Sequence, residues 1–269
     1  MPAPMKIHAH AKVNIFLKIT GEKEHSSGKL YHTILSRFMR VESLYDTIEF
    51  VPCKCEHFTI EGCDDIPLES NTIYQAYKAL NAHTGDLDIL NFFYKHKVVV
   101  TKRIPSGAGL GGGSSDAAAF MRLVKESCNL LISTDELAQI GATIGSDIPF
   151  FIYNYPSANV SGFGEVVEPF EESPLDLELY TPHIHCNTAA VYQMFRAHFF
   201  DKINLCSFIG WDKIDSRTLL EMIADPFVLN DLYAPALKVC PKLEKVAEEK
   251  KGWFFSGSGS TFFQIKPCE

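Results

Sequence analysis

Between Arg103 and Phe120 the chain reads RIPSGAGLGGGSSDAAAF, which places Gly107, Gly109, Gly111, Gly112 and Gly113 directly before Ser114, Ser115 and an alanine run. Glycine lets successive backbone N–H groups turn to one side and lets a ligand approach without a Cβ in the way. A helix start adds N–H groups without intrahelical partners and the positive end of the helix dipole. Two hydroxyls at the junction can donate to phosphate oxygens or assist a metal. The stretch is therefore a candidate polyphosphate cradle. The competing reading, a plain flexible link between strand and helix, explains neither the number of glycines nor the serines beside them. Two better-known phosphate motifs fit less well. Gly107, Gly109 and Gly112 satisfy G-x-G-x-x-G, but Pro105 intervenes and no second parallel strand ending in an acid follows. Gly107 to Gly112 fits the first six positions of a P-loop, yet Gly113 stands where its lysine belongs.

Other residues of chemical interest lie in GSDIPFF and IHAHAKVNIFLKI. Asp147 follows Gly145 and precedes Ile148-Pro149, a rigid setting that fixes a carboxylate. It is a candidate general base; the alternative is a turn aspartate that caps local backbone. Lys12 and Asn14 share one face of a strand, where a lysine either serves a reaction or faces solvent. His32 and Tyr192, taken alone, read as a surface histidine and a core residue of an amphipathic helix.

The elements that would position these residues follow from patterning. Apolar residues at the odd positions from Ile7 to Ile19 predict a half-buried, antiparallel strand. A polar loop, GEKEHSSGKLYH, precedes two strands, RFMRVE and DTIEFVP, and a further strand near HFTIEG. Residues 71–82 have helical spacing. Lys97 to Lys102 predicts a β-branched strand running into the glycine loop, and Ala117 to Cys128 a helix. Ser133 and Glu136 have capping-box spacing and start another helix, which Gly145 ends. Asp147-Ile-Pro then opens an aromatic strand, PFFIYN. The second half mixes strands (LDLELYTP, GWFFSGSGSTFFQI) with helices (TAAVYQMFRAHFF, RTLLEMIA, APALKVCPKLEKVAEEK). Mixed, non-alternating order predicts α+β rather than a doubly wound sheet. A boundary near Pro156 divides the chain into 1–156 and 157–269.

The chain of 269 residues is 46% apolar and 22% charged, the balance of a globular protein. No apolar run approaches the roughly 18 residues a membrane span needs, and the start, MPAPMKIHAHAK, lacks the apolar region of a secretory signal. A cytoplasmic protein without membrane contact is expected. The eight cysteines (Cys53, Cys55, Cys63, Cys128, Cys186, Cys206, Cys240, Cys268) are scattered, which argues against a disulfide framework and for a reducing compartment. Cys53, Cys55 and Cys63 lack the partners that would complete a metal-ligand set and read as ordinary small side chains. A net charge of −8 repels nucleic acid, so any bound phosphate must be held by local backbone and a few lysines.

PSGAGLGGGSSDAA resembles the phosphate-loop signature P-x-x-x-G-L-G-S-S-x-A-A of the GHMP superfamily of galactokinases, homoserine kinases, mevalonate kinases and phosphomevalonate kinases. Its extra glycine, in GLGGGSS, resembles the branch that phosphorylates 4-diphosphocytidyl-2-C-methyl-D-erythritol in the non-mevalonate isoprenoid route. AKVNIFLKITG, GSDIPFF and FSGSGSTFF agree with that branch in the same order. The resemblance implies an α+β, two-domain GHMP-kinase-like fold with the active site in the inter-domain cleft. It gives 1–156 an ATP-binding role and 157–269 a substrate-side role. ATP would lie across Pro105, Ser106, Gly107, Ala108, Gly109, Leu110, Gly111, Gly112, Gly113, Ser114 and Ser115, with Asn71 and Lys102 on the adenosine side. Asp147 would be the base that receives the acceptor's hydroxyl proton. Lys12 would pair with it and stabilise charge on the acceptor oxygen, and Asn14 would bind substrate. Tyr31 and His32, from a G-Y-H-like segment, and Thr188 and Tyr192, from NTAAVY, would hold the cytosine. Ser256 to Ser260 would support the phosphate loop. Magnesium would accompany ATP, with its protein ligands left open. The partners would be ATP and a small cytidine-diphosphate-linked acceptor, the chain being a monomer or weak homodimer. The alternatives are a mevalonate- or homoserine-type kinase, a non-catalytic nucleotide-binding module and, last, a dinucleotide-dependent oxidoreductase.

Overall fold

The alternation in IHAHAKVNIFLKI folds as one long strand, β1 (Lys6–Glu24), in the computed structural model, which describes residues 5–24, 28–85 and 87–267. The first residues of the chain, 1–4, three residues of the expected polar loop, 25–27, and Cys268 lie outside the described residues. After β1 come β2 (Leu30–Pro52), β3 (Ile60–Glu61), α1 (Thr72–Thr84), α2 (Leu87–Phe93), β4 (His96–Thr101), α3 (Gly112–Ser127), α4 (Thr134–Ala142) and α5 (Ile148–Tyr153). There follow β5 (Ser157–Gly162), β6 (Val166–Pro169), β7 (Leu177–Tyr180), α6 (Thr188–His198), α7 (Ser216–Ile223), α8 (Pro226–Leu229), α9 (Tyr233–Val239), α10 (Lys242–Glu249), β8 (Phe254–Phe255) and β9 (Phe262–Ile265). The class is α+β, as the mixed order predicts.

Contacts group the chain into two compact units. The first comprises Met1–Ala11, Glu42–Ile104 and Gly111–Asn154; the second comprises Lys12–Val41, Pro105–Leu110 and Tyr155–Glu269. Their last boundary, between Asn154 and Tyr155, falls beside the one expected near Pro156. The earlier crossings, within β1, within β2 and on either side of 105–110, carry no composition change that patterning could detect.

In the first unit, Thr47–Pro52 of β2 pairs antiparallel with β4, Phe50 opposite Val98, and β3 adds to β4 in parallel. Phe50, Phe58, Phe93 and Phe120 meet as an aromatic core, each within 6 Å of at least one other ring. Each such buried ring contributes about 1.5–3 kcal/mol of transfer free energy. Asn71 caps α1 by accepting from the Ile73 N–H at 2.9 Å, and Gly85, at φ 60°, closes it. The capping box at Ser133 and Glu136 opens α4 as expected. Helix α3 starts at Gly112, earlier than the expected Ala117, so the glycines form its first turn.

The expected strand PFFIYN is a helix. α5 buries Ile148, Pro149, Phe150, Phe151 and Ile152, with Pro149 in its first turn and Asn154 at φ 58° as its C-cap. An all-apolar hexamer carries no period, and proline suits a first helical turn where no N–H is needed.

In the second unit, Ile34–Met39 of β2 pairs antiparallel with β5, and β5 with β6. A separate antiparallel sheet runs in the order β7-β9-β8. The strands expected at RFMRVE and DTIEFVP are parts of one continuous β2. The half-buried reading of β1 is also corrected. Every residue from Ala11 to Ile19 is buried, Lys12, Asn14 and Lys18 included. The polar row is buried because it is paired. Lys18 reaches the Asp231 carboxylate and the Val228 carbonyl, and the Asn14 amide donates to Ser36 Oγ at 2.9 Å. Arg37, fully buried opposite Asn159, donates to Asn159 Oδ1 at 2.7 Å and to the Asp212 carbonyl at 2.9 Å, and lies 3.5 Å from Glu172.

Cys53 and Cys55 are bonded to each other, their Cα atoms 5.7 Å apart, which corrects their reading as ordinary small side chains. Residues two apart on extended chain point to the same side, so the pair is pre-aligned as β2 ends. Cys63, Cys128, Cys186, Cys206 and Cys240 are free thiols.

Candidate active site

Three helix starts of the first unit come together. The Thr72 hydroxyl donates to the Gly113 carbonyl at 2.7 Å, tying the start of α1, with its Asn71 cap, to the start of α3. A Cβ added at Gly145 would lie 3.7 Å from Ser114 Oγ, so the turn that carries Asp147 sits against the same helix end. Asp147 is half-buried at φ −82°, ψ −14°, and its side chain does not cap α5. Of the two serines at the junction, Ser114 is half-buried at the helix end. Ser115 is buried, its hydroxyl donating to the His10 carbonyl at 2.6 Å.

Lys102 ends a buried charge cluster next to this helix start. Its ammonium contacts Asp46 and lies 2.6 Å from Asp116 Oδ2. The other Asp46 oxygen accepts from the N–H groups of Arg103 and Ile104. Burial depresses the Lys102 ammonium, but the charges of Asp116 and Asp46 outweigh it and hold the group above its ordinary value. Burial also pushes Asp116 up to about 7, against the opposing pull of Lys102. Sequence reasoning passed over Asp46 and Asp116. The signal for Asp116 was its place directly after Ser114-Ser115, whereas nothing marked Asp46.

In the second unit, the four loop carbonyls from Gly107 to Leu110 are engaged. Gly107, Ala108 and Leu110 accept from the N–H groups of Cys186 (3.5 Å), Thr261 (3.1 Å) and Lys12 (3.0 Å), and Gly109 from Ser256 Oγ at 3.0 Å. At the start of α3, Gly111 accepts from the Ser115 N–H at 2.8 Å. Among the described residues, by contrast, no protein acceptor takes the backbone N–H groups of Ser106 to Ser114. Carbonyls turned into the protein and N–H groups left over give the polarity that an anion needs. Gly109, at φ 75°, makes this path possible: a Cβ there would lie 2.3 Å from the Ser256 carbonyl oxygen. Pro105, Ser106 and Gly107 are exposed.

Ser256 to Ser260 does what its sequence suggested and braces the loop. Besides the Ser256–Gly109 bond, Ser256 Oγ accepts from the Asn14 N–H at 3.4 Å, and Ser258 shares a hydrogen bond with Thr188 at 2.8 Å. Asn230, unmarked in the sequence, holds this segment by donating to the Phe255 and Gly257 carbonyls, both at 2.9 Å. Lys12 donates to Asn14 Oδ1 at 2.7 Å and lies 4.3 Å from the centre of the Phe38 ring. His32 is buried, its ring centre 5.3 Å from that of Tyr192, and its Nε2 lies 3.4 Å from Glu22. Burial, then the Arg196 charge, lowers its pKa. His32 and Tyr192 lie side by side, and Tyr31, next to His32 in sequence, is an exposed ring.

Residues 71–155, which span Asn71, Lys102, the whole glycine loop and Asp147, match the family described as GHMP kinases N terminal domain. Fold and loop together define the class: this is a GHMP kinase, an ATP-dependent phosphotransferase. The chain is 60% identical, over 97% of its length and 98% of the relative's, to the 4-diphosphocytidyl-2-C-methyl-D-erythritol kinase of Sulfurovum sp. (strain NBC37-1). It is 46% identical to the enzyme of that name from Sulfurimonas denitrificans, covering 98% of both chains. It also superposes on a crystal structure of 4-(cytidine 5'-diphospho)-2C-methyl-D-erythritol kinase with a TM-score of 0.71 at 28% identity, covering 97% of this chain and 90% of the other. The chain belongs to the 4-diphosphocytidyl-2-C-methyl-D-erythritol kinase family. No helix of the described residues is long and apolar enough to cross a membrane.

Proposed function

We propose that the chain transfers the γ-phosphoryl group of ATP to the 2-hydroxyl of 4-diphosphocytidyl-2-C-methyl-D-erythritol, a step in non-mevalonate isoprenoid precursor synthesis. The observation that carries this reading is the glycine loop, whose carbonyls from Gly107 to Leu110 are engaged while its N–H groups and the α3 start stay available to phosphate oxygens. In the reaction the acceptor O–H bond breaks, a new P–O bond forms to that oxygen, and the bond to the ADP oxygen breaks. Asp147 takes the released proton, from the turn held against the start of α3. Lys12, fixed by Asn14, stabilises charge on the acceptor oxygen. Asn14 contacts the acceptor. Tyr31 stacks on the cytosine beside the His32–Tyr192 pair, with Thr188 at its edge, and Asn71 and Lys102 face the adenosine. In this assignment 1–156 carries the ATP functions and 157–269 completes the acceptor side.

Magnesium neutralises polyphosphate charge in such reactions. Among the described residues no group of three His, Cys, Asp or Glu could hold a metal by itself. The residues therefore do not form a protein cage, and the ion suits a site made mainly of ATP oxygens and water. We also place the protein in the cytoplasm as a monomer or weak homodimer. The test is ADP formation with the cytidyl-methylerythritol acceptor, mevalonate or homoserine in parallel. Turnover confined to the first supports the assignment; turnover on either other acceptor alone overturns it.

A further inference from the structure

The Lys102 cluster holds a carboxylate that the reaction above does not use. Asp116 is 4% exposed and sits in the first turns of α3. Its Oδ2 meets the Lys102 ammonium at 2.6 Å, while its Oδ1 is buried with no hydrogen-bond partner. Asp46, the other carboxylate on Lys102, is used fully: one oxygen on the ammonium, the other on the N–H groups of Arg103 and Ile104. Asp46 thus divides its two oxygens between the end of β4 and the ammonium, whereas the one hydrogen bond of Asp116 is with the ammonium. That position matters. A Cβ at Gly112 would lie 3.7 Å from Lys102 Nζ, so the cation stands against the first residue of α3 and its unbonded N–H groups. The Lys102 side chain keeps 28% of its surface exposed, enough for a ligand to reach it.

We propose that Asp116 is a positioning residue for ATP, holding the Lys102 ammonium beside the start of α3 so that the nucleotide meets a cation already in place. The proposal rests on the kinase reading for the identity of the nucleotide, but on the geometry above for the role. It has a charge corollary. Lys102 with two ionised carboxylates carries one net negative charge, which a polyphosphate disfavours; protonating Asp116 makes the cluster neutral. The groups that act on Asp116 are Lys102 and Asp46, and the half-buried Cys63 thiol feels all three. With Asp116 near 7, ATP binding weakens as pH rises through neutrality.

The experiment is calorimetric titration of magnesium-ATP, without acceptor, into wild type, Asp116→Asn and Asp116→Ala at pH 6 and pH 8. Thermal unfolding of each variant confirms that it is folded. Asparagine still accepts from Lys102 but cannot ionise, so D116N is expected to match wild type at pH 6 and bind more tightly than wild type at pH 8. D116A loses the contact and is expected to bind about tenfold more weakly at both, the scale of one charged hydrogen bond. Equal affinity in all three proteins overturns the proposal, and so does a D116N affinity that follows the wild-type pH course. Because no acceptor is present, an error in the acceptor's identity leaves the result intact. A wild type that does not bind ATP overturns the kinase reading and this inference with it.

Discussion

Gly109→Ala is the sharpest perturbation of the loop that the structure offers. Two costs add at this position. A residue with a Cβ at φ 75° is in the left-handed region, which costs roughly 1–2 kcal/mol. The new Cβ would also stand 2.3 Å from the Ser256 carbonyl oxygen and, less tightly, 3.1 Å and 3.2 Å from Gly259 backbone atoms. Backbone on both sides has no rotamer to yield, so overpacking of about 1–3 kcal/mol follows. The total of about 2–5 kcal/mol is relieved only if the loop leaves Ser256, and at about 1.4 kcal/mol per decade that is at least a 30-fold loss in kcat/KM for ATP. Gly252→Ala is the control. It has a similar φ of 88° but nothing within 4 Å of the added Cβ, so it should cost about 1–2 kcal/mol of stability and leave the kinetics unchanged. The assay is coupled ADP production at saturating acceptor with ATP varied, with thermal unfolding of both variants alongside. The reasoning is refuted if Gly109→Ala keeps the wild-type dependence on ATP, or if Gly252→Ala shows the same kinetic defect.

Other perturbations test the frame around the site. Arg37→Leu should destabilise by about 3–5 kcal/mol, because it strands the Glu172 carboxylate that faces the guanidinium; chemical denaturation measures it, and a loss below about 1 kcal/mol contradicts the buried-pair reading. His32 is held neutral by burial and by Arg196. Its folded pKa lies below the unfolded value of about 6.5, so the stability it contributes is present above the unfolded value and is lost as pH falls from there through the folded pKa. His32→Gln should therefore flatten the fall in Tm between pH 7 and pH 5, and an unchanged slope would assign the acid sensitivity elsewhere.

Much of the candidate site was legible because its signals are local. Glycines before a helix, an aspartate before Ile-Pro and a lysine two residues from an asparagine each carry their chemistry in adjacent residues. Ser133–Glu136 as a capping box was legible for the same reason. What sequence could not reveal depends on the third dimension. The polar face of β1 reads as solvent-exposed until Asp231 and Ser36 arrive from distant segments to pair with Lys18 and Asn14. PFFIYN has no period to separate strand from helix. Asp46 and Asn230 sit in unremarkable surroundings, and their value lies in the backbone groups they hold. That His32 and Tyr192, from β2 and α6, lie side by side is likewise visible only in coordinates.

The central claim is that Asp147 accepts the acceptor's proton, and one comparison tests it most directly: single-turnover phosphoryl transfer from magnesium-ATP to the cytidyl-methylerythritol acceptor by wild type and Asp147→Asn, with the affinity for both ligands measured in parallel. Loss of a general base costs about 10²–10⁴ in rate, so the account predicts a fall of that size in the asparagine variant with both affinities kept. Transfer at the wild-type rate by Asp147→Asn would contradict it and move the proton to another group.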